Sequence, residues 1–284
     1  MMQRGRSVRR EVRDVTVGEV RIRAVEAGIG NGPALLLIHG FIVSHAEWDD
    51  VIDLLAAHFH VIAPDLPGFG DSAKPSPSRY EYGFSAFAES MADLIAGLGV
   101  GRVHVAGHSL GGAIAMTLAA HHPELIDRLV LVDPLSFPFP RSFRARLPLY
   151  PVLGPFWFKQ LYGRSFFRAY FKDEVFPKGM PINLDRIDTF YDKFNTPSAR
   201  ESAYATMRAT LDTRTLVALL GRVRAATLVI WGRDDKMFPV AFATKLARQL
   251  GDARLEIMAT GHSPAEEQPE VFVRHVLEFL EGRR

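Results

Sequence analysis

The strongest chemical signal in the sequence is a serine placed between two glycines. Residues 107–111 read Gly-His-Ser-Leu-Gly, the form G-x-S-x-G, and they follow an apolar run at 103–106 and precede a stretch of helical period. A sharp turn from a strand into a helix exposes the serine hydroxyl at the helix N-terminus, where backbone N–H groups favour negative charge. The pattern therefore predicts that Ser109 is a nucleophile. The alternative is a glycine-rich turn in which Ser109 only caps the helix.

A serine nucleophile requires a base and an acid elsewhere in the chain. A histidine takes the serine proton, and a buried carboxylate holds the imidazole in the correct tautomer. His262 follows a strand-like stretch and is the predicted base; the alternative is a histidine on a surface loop. Asp234 and Asp235 end one predicted strand and Asp133 ends another, so the residues alone leave three candidate acids.

The oxyanion of an acyl-transfer reaction requires two N–H donors. The segment His39-Gly40-Phe41 directly follows an apolar run and would supply one of these donors. We assign the two donors to the backbone N–H groups of Phe41 and Leu110. Gly40 lets the main chain approach the substrate. His39 is interpreted either as a histidine bonded to the backbone at a strand end or as a pocket residue.

Composition excludes several classes of protein. The 284 residues allow one large domain or two small ones, and a hydrophobic fraction of 48% is ordinary for a folded globular chain. The net charge of +2 offers no electrostatic case for nucleic acid. With no cysteine, the chain lacks disulfides and thiolate metal sites. No apolar run is long enough to span a membrane, so we expect a cytoplasmic protein without stable membrane insertion.

Short apolar runs that alternate with stretches of helical period must position these residues. The runs predict strands at 34–38, 59–63, 103–106, 129–132, 228–231 and 253–258. The helical stretches lie at about 48–57, 84–98, 110–121 and 239–250. This alternation predicts an α/β fold with a mostly parallel sheet and helices on both faces. Residues 11–27 add a hairpin that turns at Gly18.

The segment 134–220 interrupts this rhythm. It is rich in proline, and residues 137–194 hold 16 of the chain's 30 aromatic residues, as read from the sequence. We interpret 134–220 as a mostly helical cap between two parts of the core, 1–133 and 221–284. Its aromatic residues are too many to bury against one another, so they either pack on the core or line an apolar acyl pocket. The candidate pocket residues are His39, Gly40, His108, Phe137, Phe139, Trp157 and Phe158.

The sequence resembles the α/β-hydrolase superfamily, in the branch with an inserted helical cap. Five segments match motifs of that superfamily: His39–Phe41, Asp65–Ser72 (D-x-x-G-x-G-x-S), Gly107–Gly111, Trp231–Asp235 (W-G-x-x-D) and Gly261–Pro269 (G-H-x-x-x-x-E-x-P). The resemblance implies that Asp235 is the acid of the triad. We interpret Asp65, Gly68, Gly70, Glu267 and Pro269 in these segments as scaffold residues that serve turns and helix starts rather than chemistry.

The resemblance favours a carboxylic ester hydrolase. Serine at position 109 argues against the dehalogenases and epoxide hydrolases of this fold, which carry aspartate there. Carbon–carbon hydrolases, haloperoxidases, hydroxynitrile lyases and slow-turnover small-molecule receptors of the same fold stay open as alternatives. We expect a small-molecule ester as substrate, no metal or organic cofactor, and a monomer or homodimer.

Overall fold

An eight-stranded sheet runs through the computed structural model, which describes residues 8–139, 147–150, 153–251 and 253–282. The strand order is β1-β2-β4-β3-β5-β6-β7-β8. β1 pairs antiparallel with β2, β2 pairs antiparallel with β4, and the remaining neighbours are parallel. The strands are β1 Arg10–Val17, β2 Val20–Ala27, β3 Ala34–Ile38, β4 His60–Pro64, β5 Val103–His108, β6 Ile126–Val132, β7 Ala226–Gly232 and β8 Ala253–Met258.

Helices cover both faces of the sheet. The α-helices are α1 Asp49–Ala56, α2 Phe84–Leu98, α3 Leu110–His121, α4 Leu153–Phe156, α5 Arg164–Tyr170, α6 Leu184–Phe194, α7 Pro197–Ala209, α8 Arg214–Leu219, α9 Ala241–Leu250, α10 Pro264–Glu267 and α11 Pro269–Leu280. Shorter 3₁₀ turns span His45–Trp48, Leu147–Leu149 and Leu220–Arg222, and π-helical turns span Trp157–Leu161 and Phe171–Val175.

The two faces of the sheet form separate hydrophobic cores because successive side chains of a strand point in opposite directions. In β3, Leu36 and Ile38 pack on the face covered by α2, α3 and α9, whereas Leu35 and Leu37 pack on the face covered by α1 and α11. A strand buried on both faces needs an uninterrupted apolar run, which is the pattern that the sequence shows. The predicted α/β fold with a mostly parallel sheet is confirmed.

Most predicted elements agree with the structure within one or two residues. The clearest difference is β6, which begins at Ile126 rather than at 129. Ile126 is buried, but Asp127 is exposed and Arg128 is half-buried where the strand enters the sheet, so the apolar run starts later than the strand does.

Residues 134–220, which we call the helical segment, connect β6 to β7. Its described residues form helices and turns without a strand. Its division from the core as a separate cap stays a prediction. A central group of its aromatic residues is buried within the segment: Phe158, Phe167, Phe171, Phe190 and Phe194 are all buried and linked by ring contacts. The aromatic residue Phe143 lies outside the described residues.

Part of this segment is still open to solvent. Phe156 and Phe166 are exposed by 57% and 58%, so the aromatic group is sealed only at its centre. Among the described residues, no helix has the length and apolarity needed to cross a membrane.

Two glycines with the same backbone conformation give a matched test of the fold. Gly28 and Gly99 both have φ near +67°, a region that penalises side chains by about 1–2 kcal/mol. A Cβ at Gly28 would lie 2.2 Å from the carbonyl oxygen of Ala56, whereas a Cβ at Gly99 would meet nothing within 4 Å. In urea unfolding, we expect Gly99→Ala to lose about 1–2 kcal/mol and Gly28→Ala to lose at least about 1 kcal/mol more, because the main chain around Ala56 must move. Equal losses in both variants would contradict this packing.

Candidate active site

Ser109 occupies a strained turn between β5 and α3. Its φ is 54° and its ψ is −115°, a conformation that non-glycine residues rarely adopt. The flanking glycines leave no room for a side chain: a Cβ at Gly107 would lie 2.3 Å from the carbonyl oxygen of Gly111, and one at Gly111 would lie 2.2 Å from that of Ile38. The G-x-S-x-G sequence is therefore a steric requirement of the turn. Ser109 itself is 7% exposed.

His262 and Asp235 form a buried pair in the loops after β8 and β7. The distance from His262 Nδ1 to Asp235 Oδ2 is 2.8 Å. The second oxygen of Asp235 accepts the N–H groups of Met237 and Phe238 at 2.7 and 3.0 Å. His262 Nε2 is buried and has no hydrogen-bond partner among the described residues. The pair therefore holds an imidazole with one nitrogen anchored and the other free for a proton.

The structure separates the three candidate acids. Asp234 is exposed, and its side chain has no hydrogen bond to His262. Asp133 is fully buried, but its Oδ1 accepts the N–H of Gly232 at 2.8 Å. Of the three carboxylates, Asp235 alone is hydrogen-bonded to the histidine. This contact agrees with the acid that the family resemblance implied.

The pKa values of the two buried carboxyl groups are shifted in opposite directions. Burial alone would raise the pKa of Asp235, but His262 and the two N–H groups outweigh it and lower that pKa below the usual value. Burial and the nearby charge of Asp235 raise the pKa of Asp133 well above the usual value. At neutral pH, Asp235 is therefore ionised, whereas Asp133 holds its proton more tightly than an ordinary carboxyl group does.

One cluster in this site has a spacing that a metal ion could use. Asp133, Asp235 and His262 each bring one ligand atom within 4.8 Å of the others. However, His262 Nδ1 is hydrogen-bonded to Asp235 Oδ2, and Asp133 Oδ1 accepts the N–H of Gly232. These hydrogen bonds already use one atom of each residue, so the donor set fits a hydrogen-bonded triad better than a cation site.

His39 orients the loop after β3. Its Nε2 accepts the N–H of Leu66 at 2.9 Å, so its Nδ1 carries the proton and donates to the carbonyl oxygen of Gly40 at 2.7 Å. Burial lowers the pKa of His39, which agrees with this neutral tautomer. Because a trans peptide is planar, fixing the Gly40 carbonyl also fixes the N–H of Phe41 in the opposite direction. His39 therefore has the backbone-bonded role that was one of its two interpretations, rather than a free side chain in a pocket.

The N–H groups of Phe41 and Leu110 are the predicted oxyanion donors. Within the described part of the chain, neither N–H is hydrogen-bonded to another residue. The loop after β3 also lies against the serine turn, since a Cβ at Gly40 would be 3.5 Å from Ser109 Cβ. Ser109 Oγ has no hydrogen bond to His262 Nε2 in this structure. Catalytic hydrogen bonds often tighten only when substrate binds.

His108 differs from its predicted place in the substrate pocket. It is buried, and both ring nitrogens are occupied: Nδ1 lies 2.8 Å from Glu47 Oε1 and Nε2 lies 2.6 Å from the carbonyl oxygen of His262. The other oxygen of Glu47 accepts the N–H of Gly40 at 2.9 Å. Sequence reasoning missed Glu47 because its partners lie 7 and 61 positions away and no local pattern distinguishes it from its acidic neighbours.

A second acidic group was also missed. Glu266 is half-buried, accepts the hydroxyl of Ser263 at 2.6 Å and pairs with Arg186 of α6 at 2.9 Å. Arg186 also binds Asp50 in α1 at 2.6 Å. Burial and the charge of Glu47 raise the pKa of Glu266 to about 7. The helical segment is thus tied by a charged contact to the loop that carries His262.

Glu267 and Asp65 have the predicted scaffold roles. Glu267 accepts the N–H groups of Gly261 and Ser263 at 2.7 and 3.0 Å and so brackets His262 on both sides. Asp65 accepts the N–H groups of His45 and Asp71 at 2.7 and 2.6 Å.

Of the aromatic residues predicted to line the pocket, only Phe139 is linked to His262 by ring contacts among the described residues. Phe139 packs on Phe238 with ring centroids 5.0 Å apart, and Phe238 packs on His262 at 5.1 Å. Three other predicted pocket residues have their aromatic contacts elsewhere: Phe137 with Phe242 of α9, Trp157 with Tyr162 and Phe166, and Phe158 with the central aromatic group.

The raised pKa of Asp133 predicts a pH-dependent stability. The unfolded chain loses this proton at about pH 3.8, whereas the folded chain holds it to a higher pH. Folding therefore becomes less favourable as pH rises above about 3.8, by up to about 1.4 kcal/mol per pH unit. Asp133→Asn removes that penalty. In urea unfolding, we expect its stability relative to the parent to increase between pH 4.5 and pH 6.5.

Asp234→Asn is the control for this measurement, because it removes an exposed carboxylate from the neighbouring loop. If the difference between Asp133→Asn and the parent does not grow with pH, Asp133 is not the protonated member of the pair.

The sequence of this chain is similar to those of known proteins. The model of the alpha/beta hydrolase fold family matches residues 33–269. An uncharacterized protein of Mycobacterium tuberculosis is 33% identical over 306 residues, covering 99% of this chain and 86% of its own. The 2-hydroxy-6-oxo-6-(2'-aminophenyl)hexa-2,4-dienoic acid hydrolase of Metapseudomonas resinovorans is 30% identical over 279 residues, covering 95% and 91%.

A solved structure is also similar to this chain in fold and in sequence. The crystal structure of a membrane phospholipase A, described as a bacterial virulence factor, has a TM-score of 0.80 and 31% identity, and the match covers 96% of this chain and 86% of that one. Together with the eight-stranded sheet and the family match over 33–269, these similarities show that the chain belongs to the α/β-hydrolase fold family.

Proposed function

We propose that this protein is a serine hydrolase that cleaves carboxylic esters of apolar acyl groups. The observation that carries the proposal is the buried pair of His262 and Asp235, in which 2.8 Å separates His262 Nδ1 from Asp235 Oδ2. The other ring nitrogen of His262, Nε2, has no hydrogen-bond partner among the described residues. The loop of His262 and the strained turn of Ser109 both follow parallel strands of the sheet. An imidazole that is anchored at Nδ1 by a carboxylate and unpartnered at Nε2 is suited to take a serine proton.

The proposed reaction has two stages. Ser109 Oγ attacks the ester carbonyl as His262 Nε2 takes its proton, and the resulting oxyanion accepts hydrogen bonds from the N–H groups of Phe41 and Leu110. The tetrahedral intermediate then expels the alcohol, which receives the proton from His262. Water next gives a proton to His262 and attacks the acyl-enzyme carbonyl; the bond from that carbon to Ser109 Oγ then breaks, the acid leaves, and His262 returns the proton to Ser109. Asp235 stabilises the imidazolium at each stage, and no cofactor takes part.

The charge states around the triad support this assignment. Asp235 is ionised because His262 and two N–H groups face it, so a positive imidazolium at His262 has its counter-charge in place before the reaction begins. Such a preorganised environment stabilises charge without reorganising in the transition state.

Apolar side chains near the triad support an apolar acyl group. Phe238 packs directly on His262 and Phe139 packs on Phe238. Phe41, which offers the proposed oxyanion N–H, packs on Phe69 with ring centroids 6.0 Å apart. In the proposal, the helical segment caps this apolar surface.

A carbon–carbon hydrolase is the second candidate, because the relative from Metapseudomonas resinovorans is named for the hydrolysis of a 2-hydroxy-6-oxo-dienoic acid. The residues of the serine turn and of the loop after β3 favour the ester assignment. The elbow of that group usually reads G-N-S-M-G and its oxyanion loop is rich in glycine, whereas this chain has His108 and Leu110 around the serine and Phe41 in the loop.

Hydrolysis of p-nitrophenyl esters tests the proposed function. We expect turnover of esters between acetate and palmitate, lost by about 10⁴-fold or more in Ser109→Ala, because the nucleophile is removed. Asp235→Asn should reduce kcat by about 10³–10⁴-fold, because the imidazole loses its counter-charge and tautomer control. Asp234→Asn, a change in the adjacent exposed acid, is the matched control and should keep near-parental kcat.

The same preparation should be assayed with a 2-hydroxy-6-oxo-dienoate. Serine-dependent turnover of the dienoate without turnover of any ester would replace the ester assignment with the carbon–carbon one. A folded protein that turns over neither substrate would contradict both.

The aromatic contacts predict which substitution changes acyl-chain preference. Phe139→Ala removes apolar area one ring away from His262, so we expect the ratio of kcat/KM for octanoate to that for acetate to fall about fivefold to tenfold. Trp157→Ala is the control, since its aromatic contacts lie within the helical segment. An equal loss on both esters in Phe139→Ala, or an equal shift in Trp157→Ala, would rule out Phe139 as a pocket residue.

A further inference from the structure

A buried carboxylate and a buried histidine connect the three loops of the site. Glu47, from the 3₁₀ turn His45–Trp48, contacts the loop after β3 through the N–H of Gly40 and the serine turn through His108. His108 then contacts the loop after β8 through the carbonyl oxygen of His262. Glu47 and His108 are each 5% exposed, so solvent cannot replace these contacts.

The partners of His108 determine its charge. One ring nitrogen faces a carboxylate oxygen and the other faces a backbone carbonyl oxygen, and both oxygens are acceptors. Both nitrogens must therefore donate, which makes His108 an imidazolium and Glu47 its buried counter-ion. Burial alone would lower the pKa of His108, but Glu47 outweighs it and raises that pKa. Removing either member would leave an uncompensated charge inside the protein.

Each contact of the pair acts on a group with a role in the proposed reaction. The N–H of Gly40 belongs to the residue directly before the oxyanion donor Phe41, and Glu47 restrains it at 2.9 Å. The contact of His108 Nε2 restrains the main chain of the catalytic histidine itself, and the rings of His108 and His262 lie 4.8 Å apart. His108 also restrains the serine turn, because it is the residue directly before Ser109.

We propose that Glu47 and His108 are positioning residues that hold the Phe41 N–H, Ser109 and His262 in register for attack on the substrate. This inference rests on the proposed function of Ser109, His262 and Phe41. Neither Glu47 nor His108 takes or gives a proton in the reaction. Their contribution is the alignment of three loops that come from distant parts of the sequence.

The chain contains a second contact between a buried glutamate and a histidine away from the site, although Glu26 in it also pairs with Arg13 at 3.5 Å. Glu26 is 2% exposed and its Oε2 lies 2.7 Å from His60 Nε2. This pair joins β2 to the first residue of β4, at the end of the sheet opposite the carboxyl ends of the parallel strands. Glu26 therefore serves as a control for the effect of losing any buried glutamate–histidine contact.

The rate at which a fluorophosphonate labels Ser109 tests the positioning role without assuming a substrate. The reagent forms a Ser109 Oγ–phosphorus bond with loss of fluoride, and it requires the same base and the same N–H donors as the proposed reaction. We expect the second-order labelling rate to fall about tenfold in Glu47→Gln, which keeps the shape of the side chain. It should fall about 100-fold in Glu47→Ala, which removes both contacts. Glu26→Gln and Glu26→Ala should label within twofold of the parent.

Labelling is measured well below the melting temperature of each variant, so that a loss of stability alone leaves the rate unchanged. If Glu47→Ala does not fold, Glu47→Gln decides the test. Parental labelling rates in the folded Glu47 variants, or equal decreases in the Glu26 variants, would overturn the positioning role while leaving the nucleophile intact. A parent protein that is not labelled at Ser109 would overturn the proposed function, and the positioning role with it.

Discussion

Burial of ionisable groups at the carboxyl ends of the parallel strands is the constraint on which the site depends. A charge without partners in a protein interior is strongly unfavourable, so every group there must find a partner or stay neutral. Asp235 stays ionised because His262 and two N–H groups face it, whereas burial and the charge of Asp235 favour the protonated form of Asp133. Glu47 has two donors of its own. The loops are arranged so that each charge meets these requirements, and this arrangement also places a free imidazole nitrogen at the site.

Backbone strain is concentrated at the same end of the sheet. Among the described non-glycine residues, positive φ occurs at Ile42, Ser109 and Asp133, which follow β3, β5 and β6. Each such residue costs on the order of 1–3 kcal/mol. Hydrogen bonds that continue past the strand ends offset part of this cost, including Ser109 N–H to Val132 and Asp133 N–H to Ile230. The strain is therefore maintained by the sheet rather than by the loops alone.

The sequence predicted the features that arise from local pattern. The apolar run Ala34–Ile38 matched β3 because a strand buried on both faces leaves no place for a polar side chain. The glycines around Ser109 were informative because the turn excludes any Cβ. Glu47 and Arg186 could not be found in this way, since each acts through partners that only the fold brings close. The choice among three acids likewise required the resemblance, and the contact at His262 agrees with it.

The residues that perform the reaction differ from the aromatic residues that determine which substrate is accepted. A triad and two N–H donors can serve ester or carbon–carbon hydrolysis alike, so specificity depends on the surface that faces the triad. Most buried rings of the helical segment, such as Phe158 and Phe167, stabilise that segment through contacts with one another. Phe238 packs on the ring of His262, and Phe139 packs on Phe238. Neither ring belongs to the buried charged groups, so substitutions there should change the accepted acyl group while the buried charges, and with them the chemistry, stay the same.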